Sequence, residues 1–112
     1  MSRRRPSLCI AHSRFVHYIS RMAITWSDSA DKHKVPREDA LYAIMNSYFH
    51  RGGFDEPRVP GGVRPDLFIG PPRQLGGPLL EVMVEMLPPR GVHVFHVMLA
   101  RPKHLALMEE QG

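Results

Sequence analysis

Any chemistry in this chain has to come from histidines, carboxylates and a scatter of cations, because more specialised groups are missing from the sequence. Cys9 is the only cysteine, so neither an intrachain disulfide nor a cysteine-based metal cluster can form. The 112 residues contain no H-E-x-x-H, no G-x-S-x-G, no Walker loop and no dinucleotide fingerprint. Seven histidines invite a metal, but His12 and His17 lie in a separate N-terminal segment. His93 and His96 are three apart on a predicted strand, point to opposite faces and cannot chelate together. Neither a metal nor another cofactor is expected. His96 reads as a core histidine with a hydrogen-bond partner. Glu81 and Glu85 fall on the less apolar side of their strand and read as exposed. Lys32, Lys34, Arg58, Arg64, Arg73, Arg101 and Lys103 by themselves describe a solvated surface. Arg101 stands apart from them. It leaves the end of a buried strand, and Pro102 restricts it to extended conformations, which suits a group that must meet a phosphate.

The elements that position these residues follow from apolar patterning. Residues 92–99 are rich in β-branched and aromatic types and hold no Gly or Pro, so they read as one strand. The turn at 88–91 joins it to a second strand at 79–87, an antiparallel pair. In that second strand Leu80, Val82, Val84 and Met86 share the face expected to meet the core. In the last strand Val92, Val94, His96 and Met98 share one face and His93, Phe95, Val97 and Leu99 the other. Both faces are largely apolar, so this strand should be central and helix-covered. A short strand is expected at 66–69 and another at 23–26. The Pro/Gly-rich stretch between them, 54–65, must be loop. Ser27 can cap a short helix at about residues 28–33. Pro36 opens a longer helix, with Leu41, Ile44, Met45 and Tyr48 on one apolar face and Gly52-Gly53 as its stop. Residues 103–110 can form a closing helical turn. Helices grouped on one face of a small antiparallel sheet make an α+β domain.

The net charge of +4 is unevenly distributed. Residues 1–21 carry five arginines and no acid, whereas residues 22–112 hold ten Lys plus Arg against eleven acids, a net −1. The body therefore has no broad basic field to attract nucleic acid from a distance, and any such contact must be local. Ser2-Arg3-Arg4-Arg5 faintly suggests a twin-arginine export signal, but the apolar stretch behind it stops at Ala11. Patterning begins only near Met22, so residues 1–21 are expected to be a disordered tail or an over-extended start. Residues 22–112 are expected to form a single domain. No run approaches transmembrane length, and a cytoplasmic protein with no membrane partner is expected.

From Met22 onward the chain resembles the BrnT-type toxins of bacterial type II toxin–antitoxin pairs, which share the RelE-like fold. The resemblance rests on an ordered series of short matches. Ile24-Thr25-Trp26-Ser27 stands where the family has a strand ending in Trp-Asp. Asp31-Lys32-His33-Lys34-Val35 matches a helix ending in Lys-His-Gly-Val, and Pro36-Arg37-Glu38-Asp39-Ala40 matches the Ser-x-Glu-Glu-Ala helix start. Leu67-Phe68-Ile69-Gly70 matches a strand ending in Ile-Gly, and Leu79 to Leu87 the next strand. Met98-Leu99-Ala100-Arg101 fills the place of the Ala-Arg-Arg strand end, and Met108-Glu109-Glu110 lies near the end of the chain. Lys34 occupies the family's glycine position, and Pro102 that of the second arginine.

The resemblance implies a RelE-like antiparallel sheet with two N-terminal helices packed on one face. It also implies a metal-independent endoribonuclease that inhibits translation. In such enzymes a ribose 2′-OH attacks the adjacent phosphate while the protein supplies cations and proton carriers. On that reading the catalytic group comprises Arg101 and Arg64 at the phosphate, with Lys32 and Glu85 available for proton transfer. His33 is a further candidate for that transfer. Trp26, His33, Lys34, Arg73 and Lys103 would contact the RNA, Trp26 by stacking on a base. The implied partners are the RNA substrate and a cognate DNA-binding antitoxin of the ribbon-helix-helix type, with a dimeric arrangement conceivable inside the complex. The competing expectation is a non-catalytic protein-binding module on the same fold.

Overall fold

In the computed structural model, which describes residues 23–111, five strands form one mixed sheet. The strands are β1 (Ala23–Trp26), β2 (Phe49–Arg51), β3 (Asp66–Gly70), β4 (Leu80–Leu87) and β5 (Gly91–Leu99), in the order β1-β5-β4-β3-β2. β5, β4, β3 and β2 pair antiparallel, as the patterning predicts for the β4–β5 hairpin. The all-antiparallel expectation fails at β1, which runs parallel to β5. A 3-10 turn (Asp28–Asp31) follows β1, helix α1 (Arg37–Met45) precedes β2, and helix α2 (Pro102–Gln111) closes the chain. The class is α+β, with β5 next to the centre of the sheet. The expectations for residues 1–21 lie outside the described residues. No helix among the described residues is long and apolar enough to cross a membrane.

One face of the sheet carries the larger core. Phe68, Leu80, Val82, Val84, Val92, Val94 and Val97 pack there with Ala30 of the 3-10 turn and with Ala40, Ala43 and Ile44 of α1. Burying a valine side chain is worth about 1.5–3 kcal/mol, so this cluster is the main apolar anchor. Small residues of α1 face the sheet because the helix sits close to it. A Cβ at Gly70 would strike the Ala43 carbonyl oxygen. That contact replaces the expected Leu41/Tyr48 stripe. The helix ends at Met45, Tyr48 is 65% exposed, and residues 49–51 become the edge strand β2.

The second face is covered in part by α2. Phe49, Leu67, Ile69 and Met83 are buried there, with Leu105, Leu107 and Met108 of α2 against them. The expected closing turn is thus a full helix, started by Pro102 at a position where its missing N–H costs nothing. Ser27 stands at the N-cap position of the 3-10 turn, as expected, but its side chain makes no capping bond. Its hydroxyl instead meets that of Ser29 at 2.7 Å, and Ser29 Oγ donates to the Phe95 carbonyl at 2.6 Å.

A β-bulge changes the facing of β5. Met83 pairs with His96 and Val84 with Val94, which leaves Phe95 as an extra residue. Strict alternation places His96 with Val92 and Val94. Past the bulge the parity reverses, and Val97 joins the large core while His96 turns to the second face beside Met83.

Candidate functional site

Glu81 sits at the second position of β4, paired with Met98 of β5 on the second face, and its side chain is fully buried. The expected exposure of this residue is overturned. A buried carboxylate must be paired and hydrogen-bonded, and Glu81 is both. Its Oε2 accepts from His96 Nε2 at 2.7 Å, Arg101 Nη2 at 2.7 Å and Arg101 Nε at 3.0 Å. Its Oε1 accepts from the Arg101 backbone N–H at 2.9 Å and from His104 Nδ1 at 2.7 Å. Burial by itself pushes this carboxyl up. The bonds from His96, Arg101 and His104 outweigh it and hold Glu81 far below the usual carboxylate range. One anion thereby fastens β4 to β5, to the strand–helix junction at Arg101, and to the first turn of α2.

His96 and Arg101 each keep a side to solvent. The His96 side chain is 21% exposed and that of Arg101 37%. Glu81 engages Nε and Nη2 of the guanidinium, and Nη1 is in no hydrogen bond among the described residues. Because ionised Glu81 can only accept, His96 Nε2 and His104 Nδ1 carry the protons of these two bonds. His33, exposed behind the 3-10 turn, sets its ring edge-on to His96 with centroids 6.1 Å apart. Lys32 is exposed next to it. Phe54 packs edge-on against His104 at 5.3 Å, so the 54–65 loop starts against the buried end of the cluster.

Glu85 lies further along the same face, opposite His93, whose Nδ1 is 2.7 Å from Thr25 Oγ1. Arg58 bridges this row to the bulge, 3.5 Å from Glu85 and 4.3 Å above the Phe95 ring. Of the sequence candidates, the structure therefore joins Arg101 to Glu81, brings His33 to it through His96, and sets Glu85 on the same face. Lys103 is exposed in the first turn of α2, and Lys34 is exposed beside His33 with φ at 64°. Arg64 is exposed in the loop and donates to the Asp55 carbonyl at 3.1 Å rather than to the cluster. Two candidates are elsewhere. Trp26 packs on the large core, across the sheet from Glu81, with the Arg37 guanidinium 4.9 Å above its ring. Arg73 is bound to Asp39 of α1 at 2.6 Å and holds that carboxyl below its ordinary value.

Sequence reasoning misses Glu81, His96 and His104 as site residues. Alternation places Glu81 correctly on the second face, but only α2 decides that this part of the face is covered. Period-2 reading puts His96 on the wrong face because a bulge leaves no mark in it. Comparison of the chain with protein-family models, with curated proteins and with solved structures finds no match.

Proposed function

We propose that the chain is the toxin of a type II toxin–antitoxin pair, BrnT-type with a RelE-like fold, that cleaves RNA without a metal and blocks translation in the cytoplasm. The observation that carries this reading is Arg101. Glu81 Oε2 grips the Nε–Nη2 edge of its guanidinium beside His96, and the side chain stays 37% exposed with Nη1 in no hydrogen bond among the described residues. A preorganised planar donor of this kind stabilises the charge that gathers on a phosphorane without reorganising at the moment of reaction. Lys34 adds support. It adopts φ 64°, a conformation that favours glycine, at the position where the family has glycine. The partner in this reading is a ribbon-helix-helix antitoxin that covers the same face.

The non-catalytic binding module has an observation of its own. The positive charge of Arg101 is matched by Glu81, Arg37 by Asp31 and Arg73 by Asp39, which leaves little net cationic surface for RNA. Expression in a bacterial host without antitoxin separates the two. On the toxin reading, growth stops and RNA is cut, and Arg101→Ala loses about a hundredfold in rate, roughly 3 kcal/mol of transition-state stabilisation. Arg101→Lys should rescue incompletely, because a point charge does not replace a fork. Intact RNA and unimpeded growth with soluble wild type would leave the binding module standing.

A further inference from the structure

We infer that His96 and His33 form the acid–base pair of this site, a reading that rests on the proposed RNA cleavage and names the groups that move its protons. Three observations converge on it. The two rings meet edge-on with centroids 6.1 Å apart, close enough for one phosphodiester to reach a nitrogen of each across their solvent side. The His96 ring is held by a buried carboxylate, with Nε2 2.7 Å from Glu81 Oε2, which fixes its tautomer and leaves the Nδ1 lone pair as the proton acceptor. The Arg101 guanidinium lies beside the His96 ring, because Arg101 Nε and Nη2 and His96 Nε2 share the same Glu81 oxygen.

The roles follow from the two environments. His96, fixed and partly buried, takes the proton of the ribose 2′-OH at Nδ1 as that oxygen attacks phosphorus. His33, exposed and in no hydrogen bond among the described residues, exchanges protons with water and delivers one to the 5′-oxygen as the P–O5′ bond breaks. Arg101 holds a non-bridging oxygen through the change. The products are a 2′,3′-cyclic phosphate and a 5′-hydroxyl. The proton taken by His96 and the one lost by His33 balance through solvent, and no metal, oxidant or further reactant is needed. The charged groups beside the pair are Glu81 from β4 and Arg101, with His104 of α2 on the other oxygen of Glu81 and Lys32 next to His33 in the chain. Glu85 and Lys32, the proton carriers expected from the resemblance, are not required. Glu85 is instead engaged with Arg58 at 3.5 Å.

The test uses the full chain made by cell-free synthesis. A short fluorescent oligoribonucleotide is supplied both free and within a message in a bacterial translation extract, with chelator present in the free reaction. Single-turnover rates are followed across pH, together with a substrate whose leaving 5′-oxygen is replaced by sulfur, which departs without a proton. The expected wild-type profile is bell-shaped with a cyclic-phosphate product. His96→Ala should lose the limb that requires a base, falling about a hundredfold or more on either substrate. His33→Ala should fall similarly on the oxygen substrate and recover most of its rate on the sulfur one. His33 is exposed, so its variant keeps the fold even where loss of His96 loosens it, and the sulfur rescue alone can decide its role. If wild type cleaves and His33→Ala keeps both its rate and its profile, the pair is wrong while the nuclease reading stands. If wild type cuts RNA in neither setting, the nuclease reading falls and the pair with it.

Discussion

The two faces of the sheet are built on different physics from the same strands. Under α1 lies a valine-rich core whose members are interchangeable in kind. Under α2 lies a core of four buried apolar residues against eleven, organised around one buried anion and its three side-chain partners. The first face tolerates imperfect packing gradually. The second is all-or-none, because a buried polar network that loses one member leaves the others unsatisfied. Stability can be supplied by the first kind of face alone. The second holds a guanidinium and an imidazole at the protein surface in fixed orientation, which an apolar core cannot do.

The sharpest break in this comparison is Glu81→Ala. It strands the buried His104 ring and the Arg101 backbone N–H, and should cost about 3 kcal/mol. Val94→Ala on the other face should cost closer to 2 kcal/mol. Urea denaturation of the two variants would measure the difference, and equal costs would show that the network adds nothing beyond packing. Acid should act on the same group. The Glu81 carboxyl is depressed in the folded state, so its contribution is complete above the unfolded value, about 4.3, and is lost as pH falls below it. Wild type should therefore lose more stability than Glu81→Gln between pH 5 and 3, roughly the range set by that unfolded value.

Next in size is Gly70→Ala, aimed at the apolar face. The added methyl meets the Ala43 carbonyl, a backbone atom that moves only if α1 moves, so the expected cost is about 1–3 kcal/mol. Because α1 does not touch the Glu81 network, hydrogen exchange should show faster opening in α1 with α2 unaffected. Equal loss of protection in both helices would mean that the two faces do not open separately.

The smallest effect is expected at Lys34→Gly, near the open end of the second face. Relief of the left-handed backbone at φ 64° favours glycine, and the greater freedom of glycine in the unfolded chain opposes it. The net gain should be no more than about 1 kcal/mol, seen as a rise of a few degrees in Tm. A loss would show that the Lys34 side chain makes a stabilising contact.

How much could be read without the fold differs between these regions for identifiable reasons. Leu80, Val82, Val84 and Met86 were placed on the core face by alternation alone, since an unbroken strand has no other way to present them. The turn at 88–91 and the β4–β5 hairpin were equally plain. The parallel pairing of β1 was not, because nothing in a four-residue strand states which neighbour it will choose or in which direction. Helical spacing misplaces Tyr48 because it continues past the point where Ala43 meets Gly70 and the chain turns back as β2.

The sequence by itself determined the α+β class, the core face of β4, and the position of Arg101 at a strand end with Pro102 behind it. Each depends on neighbours in the chain, through side-chain period and the local restriction that proline imposes. Only the tertiary structure decided that Glu81 is an anchor and that His96 faces it. Those outcomes need α2 to cover the second face and the bulge at Phe95 to reverse the parity of β5. A carboxylate on a strand is written identically whether water or a helix lies above it. Its role is set by what packs there, and residues 102–111 arrive from the far end of the chain.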